Sequence, residues 1–221
     1  MFKRLLCFGD SFCSDTGEGS FIDNLRLEFN PGMSIEHEGL SGSTPVKTFL
    51  EIQDFDILST DLVIVTFSYA SRILDNKNNP LPGFPHTSLD EWNEAVPIMY
   101  NLNPDADFDF LYLYYLKMYN DTRQSAVASC KRLGVNKILS DIGCTYVCLE
   151  VSEEFKNYQH SDNAISFPGL SLESLADTEE YNKEQQNKND NVILNHMTRE
   201  TNLYLSKKIS KAIRKVILDT Q

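Results

Sequence analysis

Arg4-Leu5-Leu6-Cys7-Phe8-Gly9-Asp10-Ser11-Phe12-Cys13 decides how this chain is read. The apolar run Leu5 to Phe8 has the length and content of a short buried strand, predicted over residues 4–9. Gly9-Asp10-Ser11 then breaks it. Glycine, aspartate and serine each favour turns, the first by its backbone freedom and the others by bonding to nearby main chain. A strand that runs straight into such a turn delivers a serine to the mouth of an α/β sheet.

The rest of the chain alternates around that start. Phe21, Leu25 and Phe29 recur at i, i+4, i+8, predicting a helix from Ser20 that Pro31-Gly32 stops. Residues 33–37 read as a second strand, ending in the turn Gly39-Leu40-Ser41-Gly42-Ser43. Thr44-Pro45 is a good helix start, with Val46, Phe49 and Leu50 as the apolar face. Asp61 to Phe67 is an unbroken, β-branched run that fits a central parallel strand covered on both faces. Residues 75–107 hold five of the eight prolines and read as an insertion. Residues 108–133 predict a long helix, with Tyr112, Tyr115, Leu116, Tyr119, Val127, Cys130 and Leu133 inward. Gly134 stops that helix in this reading, and residues 135–140 form the next strand. Residues 145–151 are either a further strand or its continuation. Residues 152–191 are polar and read as a second insertion. A last helix covers 198–217, capped by Thr198, with Leu205, Ile209, Ile213 and Val216 on one side. Strands alternating with helices predict an α/β fold: a single domain over 1–221, a three-layer α/β/α sandwich on a parallel sheet. Such sheets bind ligands beyond the carboxyl ends of their strands. Ser11, the Gly39–Ser43 turn and Phe67–Ser71 all fall at those ends.

Phe8-Gly9-Asp10-Ser11 after a first strand resembles the opening block of the SGNH (GDSL-type) hydrolases. The resemblance implies a flavodoxin-like sheet and a nucleophile at Ser11. Gly42 looks like the glycine of the family's second block. His196, in Asn195-His196-Met197-Thr198 just before the last helix, takes the place of the family's catalytic histidine. The implied chemistry is esterase chemistry: Ser11 attacks, His196 is the general base, and the N–H groups of Ser11 and Gly42 with the Ser68 hydroxyl bind the oxyanion. Asp10 stabilises the turn that presents Ser11 or caps the turn that follows. It stands with Arg72 on the substrate side. Arg72 either binds a substrate carboxylate or forms a structural ion pair.

Two blocks depart from the family pattern. Thr66-Phe67-Ser68-Tyr69-Ala70-Ser71-Arg72 lacks the Gly-x-Asn-Asp asparagine and is more similar to a variant found in phage-encoded SGNH-like proteins. Ile193 stands where an Asp precedes the histidine by three, so Asp190 is the candidate acid, or the site is a Ser–His dyad. The expected substrate class is a small-molecule or carbohydrate O-acyl ester, an O-acetyl group by analogy. Trp92, Tyr100, Phe108 and Phe110 form a lid over it or a separate apolar cluster. The alternative is a degenerate scaffold that binds without catalysis. A nucleotide-binding domain is disfavoured, since neither glycine-rich phosphate motif occurs.

Composition narrows the partners. The chain has 221 residues, a net charge of −12 and 41% hydrophobic content. Its acidity disfavours nucleic acid. The basic cluster Lys207, Lys208, Lys211, Arg214 and Lys215 reads as a solvated helix face near the negative end of the helix dipole. The apolar run at Leu5–Phe8 is shorter than the ~7–15 residues of a secretory core, and nothing approaches the ~20 needed to span a bilayer. Five cysteines, Cys7, Cys13, Cys130, Cys144 and Cys148, read as reduced thiols of a cytoplasmic protein. Neither a metal nor another cofactor is expected.

Overall fold

The computed structural model describes residues 2–14, 16–37, 39, 43–70, 120–175 and 197–219. Their strands and α-helices, in chain order, are β1 (Arg4–Phe8), α1 (Ser11–Ser14), α2 (Phe21–Phe29), β2 (Ser34–His37), α3 (Pro45–Asp54), β3 (Leu62–Phe67), α4 (Asp121–Ile142), β4 (Thr145–Glu150), β5 (Ile165–Ser166), α5 (Leu172–Leu175) and α6 (Arg199–Asp219), with a single 3-10 turn at Glu153–Phe155. The five strands form one sheet in the order β2-β1-β3-β4-β5, and every pairing is parallel.

Alternation along the strands builds the layers, because successive side chains point to opposite faces. Leu5, Cys7, Leu62, Ile64, Val147 and Leu149 meet Ile22 and Leu25 of α2 and Leu205, Ile209 and Ile213 of α6. Leu6, Phe8, Val63, Val65, Tyr146 and Cys148 meet Ile52 of α3 and Val135 and Leu139 of α4. The protein is therefore an α/β/α sandwich with helices on both faces of a parallel sheet. All six β3 residues are buried, as a strand covered on both faces must be.

The helix starts follow their capping residues. Ser20 Oγ accepts the Asp23 N–H at 3.1 Å, and Thr44 Oγ1 accepts the Lys47 N–H at 3.0 Å. Thr198 Oγ1 accepts the Thr201 N–H at 3.2 Å. The Phe21 N–H of the first turn of α2 donates to Asn202 Oδ1 at 2.8 Å, within the first turn of α6. That bond brings the starts of α2 and α6 to one end of the sandwich. Lys207, Lys211, Arg214 and Lys215 are exposed on the outer side of α6, and Arg214 reaches Glu28 at 3.3 Å. No helix among the described residues is long and apolar enough to cross a membrane.

The middle of the chain departs from the sequence reading. Gly134 does not stop the long helix, and residues 135–140 are helical: α4 continues to Ile142. Gly143 ends it at φ +75°, where its N–H bonds the carbonyls of Leu139 and Ser140. Gly134 instead permits close packing, since a Cβ there would lie 2.6 Å from the Phe49 ring of α3. The inward face of α4 is Ala128, Arg132, Val135, Asn136 and Leu139. Cys130 and Leu133, expected inside, are exposed. Val216 of α6 is also exposed rather than inward. The strand is β4, at 145–150. Residues 152–175, read as the opening of an insertion, contribute β5 to the sheet and Phe155, Ile165 and Leu172 to the core. The proposed insertion at 75–107, the first part of the long helix at 108–119, and residues 176–191 lie outside the described residues.

A buried ion pair joins α4 to the carboxyl end of β4. Arg132 Nε and Nη2 donate to the two oxygens of Glu150 at 2.8 and 2.6 Å. His160 Nε2–H donates to Glu150 Oε1 at 3.1 Å, and Asn136 Nδ2 donates to His160 Nδ1 at 3.1 Å. The Arg132 guanidinium stacks 3.9 Å from the Phe155 ring centroid and 5.0 Å from that of Phe67.

Two outcomes are expected. Glu150→Gln leaves Arg132 charged, buried and uncompensated, which lowers stability in urea unfolding by about 3–5 kcal/mol; replacing both partners, Arg132→Met with Glu150→Leu, recovers most of that loss. Burial pushes the Cys144 thiol from 9.0 up to about 11. The unfolded chain ionises this thiol first, so its stabilising contribution is complete below about pH 9 and disappears as pH rises through 11. The urea midpoint of the wild type therefore falls over that window, and Cys144→Ala makes the fall shallower.

Candidate functional site

The strand order puts the ends of β1 and β3 side by side, while the chain leaves β1 for β2 on one side and returns to β3 on the other. A parallel α/β sheet opens a crevice at such a reversal, outside the carboxyl ends of its strands. Gly9, Asp10 and Ser11 leave β1 into that crevice.

The turn is built on β3. Gly9 has φ +134°, and a Cβ on it would lie 2.1 Å from Thr66 Oγ1 and 2.3 Å from the Thr66 carbonyl oxygen. Only glycine fits there. The Asp10 N–H donates to Thr66 Oγ1 at 3.1 Å, and the Thr66 hydroxyl donates to Asp10 Oδ1 at 3.1 Å. Asp10 Oδ1 also accepts the Phe12 N–H at 3.2 Å, and the Asp10 carbonyl accepts the Cys13 N–H at 2.9 Å. Asp10 is thus fully buried and joins both sides of the turn, while Ser11, at the start of α1, is half-buried. Of the two roles open for Asp10, these bonds are those of a residue that shapes the serine turn.

The second loop is tied to the same place. The Gly39 N–H donates to the Cys13 carbonyl at 3.0 Å, and a Cβ on Gly39 would lie 2.6 Å from that of Cys13. Ser68 is buried just past β3, and its hydroxyl donates to the Ser43 carbonyl at 2.5 Å. Its single proton is therefore committed to the loop in this structure. An oxyanion role for Ser68 requires that bond to break.

Of the histidines, His37 and His160 are described. His37 Nδ1–H donates to the Cys7 carbonyl at 2.8 Å and its ring stacks on Phe8 with centroids 4.2 Å apart. Glu51 carries a raised pKa, from burial and against the opposing influence of His37. The two ring nitrogens of His160 are held by Glu150 and Asn136. Both imidazoles are structural in their observed contacts. His196, Asp190, Gly42 and Arg72 lie outside the described residues, as do the aromatic residues Trp92, Tyr100, Phe108 and Phe110. Met197, which follows His196 in sequence, is buried in the core, and Thr198 after it caps α6.

The sequence reading missed Thr66, concealed in an apolar strand, and the Arg132–Glu150–His160 cluster. The signal for Thr66 is a lone hydroxyl near the end of Leu62–Phe67, and it becomes meaningful only once β1 and β3 are known to be neighbours.

No protein-family model matches the chain. No curated protein matches it either. Among solved structures, it is similar to a candidate lipolytic protein of the G-D-S-L family from Desulfitobacterium hafniense DCB-2. The identity is 11%, the match covers 95% of this chain and 99% of that one, and the TM-score is 0.38.

Gly9→Ala tests the built turn. Overpacking against Thr66 together with the positive φ is expected to cost about 2–5 kcal/mol in urea unfolding. Gly169→Ala is the control. That residue also has positive φ, but a Cβ there meets nothing within 4 Å, so the loss is smaller.

Proposed function

We propose that the protein is a serine esterase acting on O-acyl esters, with Ser11 as nucleophile. The observation that carries this reading is the placement of a half-buried serine at the β1/β3 switch point, on a turn held by buried Asp10. Ser11 Oγ attacks the ester carbonyl as His196 takes its proton. The N–H groups of Ser11 and Gly42 stabilise the negative oxygen of the tetrahedral intermediate. His196 returns the proton to the departing alcohol. Water, activated by the same imidazole, then releases the acyl group. Asp190 orients His196, or a backbone carbonyl does so in its place.

Two observations support His196 in this role. It stands one residue before the buried Met197, where the chain enters α6. The first turn of α6 is bonded to that of α2, which follows the serine turn. Ser68 belongs with the loop anchors rather than with the oxyanion donors, because its proton already serves Ser43. Small O-acyl groups on carbohydrate are the substrate class we favour.

The test is hydrolysis of p-nitrophenyl acetate by wild type, Ser11→Ala and His196→Ala. The wild type is expected to turn over, Ser11→Ala to fall to background, and His196→Ala to lose about 10²–10⁴-fold in kcat. No wild-type turnover of this ester or of acetylated sugars favours a scaffold that kept the turn and lost the chemistry. Ile193, at the position of the expected acid, is the residue that favours that second reading.

A further inference from the structure

We propose that Thr66 and Ser68, two hydroxyls at the carboxyl end of β3, are positioning residues that hold the Ser11 turn and the Ser43 loop in fixed relation. This inference rests on the esterase reading and identifies what keeps that site in register.

Thr66 is fully buried, in a strand whose other members are apolar. A buried hydroxyl there requires partners, and both of its identified partners are groups of Asp10. It accepts from the Asp10 N–H and donates to Asp10 Oδ1, each at 3.1 Å. The same Oδ1 accepts the Phe12 N–H. The Asp10 N–H is thereby fastened to the Thr66 hydroxyl and the Phe12 N–H to the Asp10 carboxylate, and that carboxylate is itself fastened to β3. Ser11 lies between them. The contact at Gly9, where the backbone lies directly on Thr66, fixes the start of the turn from below.

Ser68 performs the matching task two residues further on. Its hydroxyl donates to the Ser43 carbonyl, at the end of the loop between β2 and α3. Thr44, next in the chain, caps α3, so the loop is held at Ser43 by β3 and at Thr44 by its own helix. Thr66 is the last residue but one of β3, and Ser68 directly follows the strand. One fully buried stretch of chain therefore carries both attachments. A nucleophile and an oxyanion donor drawn from two different loops need such a common reference. A misplacement of about 1 Å in a catalytic arrangement can lower the rate by about 10²-fold.

The closing experiment uses the full chain with Thr66→Val, Thr66→Ser and Ser68→Ala. Thr66→Val keeps the shape and removes both hydrogen bonds, whereas Thr66→Ser keeps the hydroxyl. Amide hydrogen exchange is read at Asp10 and Phe12, and turnover of p-nitrophenyl acetate in parallel. Thr66→Val is expected to accelerate exchange at Asp10 and Phe12 while the amides of β3 and β4 keep their protection. Its kcat falls by about 10- to 100-fold with KM within about twofold. Thr66→Ser restores both. Ser68→Ala is expected to lower kcat similarly and to leave Asp10 exchange unchanged, since its attachment is to the other loop.

Unchanged exchange at Asp10 and Phe12 in Thr66→Val overturns the proposal. So does faster exchange with unchanged kcat. Wild type that shows no Ser11-dependent turnover overturns the esterase reading instead, and the positioning claim with it as a statement about catalysis. The exchange data then still decide whether Thr66 holds the turn.

Discussion

The missing side chain at residue 9 is the constraint on which the site depends. Because Gly9 has no Cβ, the chain leaving β1 lies directly against Thr66 and adopts φ +134°. That approach lets Asp10 bond the Thr66 hydroxyl in both directions and sink fully into the protein. With Asp10 buried, Ser11 is the first residue of the turn that is not fully enclosed. Packing, backbone geometry and hydrogen bonding therefore agree at one place, and consistency of that kind marks a built feature.

The other constraint lies across the sheet. Arg132 and Glu150 form a fully buried pair in which every named contact is also a tether: α4 to the end of β4, and the loop at His160 to both. A buried pair of this kind adds little to stability over an apolar substitute, yet it is costly to break. Its place in this fold is to hold the carboxyl end of β4 beside Phe67, the last residue of β3. The strand end that carries Thr66 and Ser68 is thus supported from the β4 side as well.

Much of the fold is legible in the amino-acid sequence. The unbroken run 62–67 reads as a strand covered on both faces, and Ser20, Thr44 and Thr198 announce three helix starts that the capping bonds reproduce. The α4–β4 region is not legible, for a definite reason. Its inward face includes Arg132 and Asn136, which a search for apolar periodicity discards, and Gly134 serves contact with Phe49 rather than termination. β5 is invisible because two paired residues in a polar stretch leave no periodic trace. Within the site, Ser11 is legible because a turn signal follows directly on a strand. Thr66 and Ser68 are not legible as anchors, because their partners are 56 and 25 residues away in sequence. Ser68 reads as an oxyanion donor by position, and in the structure its hydroxyl donates to the Ser43 carbonyl.

The most direct test of Ser11 as an activated nucleophile is labelling with a fluorophosphonate, followed by mass spectrometry of the tryptic peptide covering residues 5–26. That peptide contains Ser11, Ser14 and Ser20, so fragmentation must locate the adduct. A stoichiometric phosphonyl adduct on Ser11, absent when His196 is replaced by alanine, is the predicted result. An unmodified peptide under conditions that label a known serine esterase to completion, or an adduct on Ser14 or Ser20 instead, would contradict it.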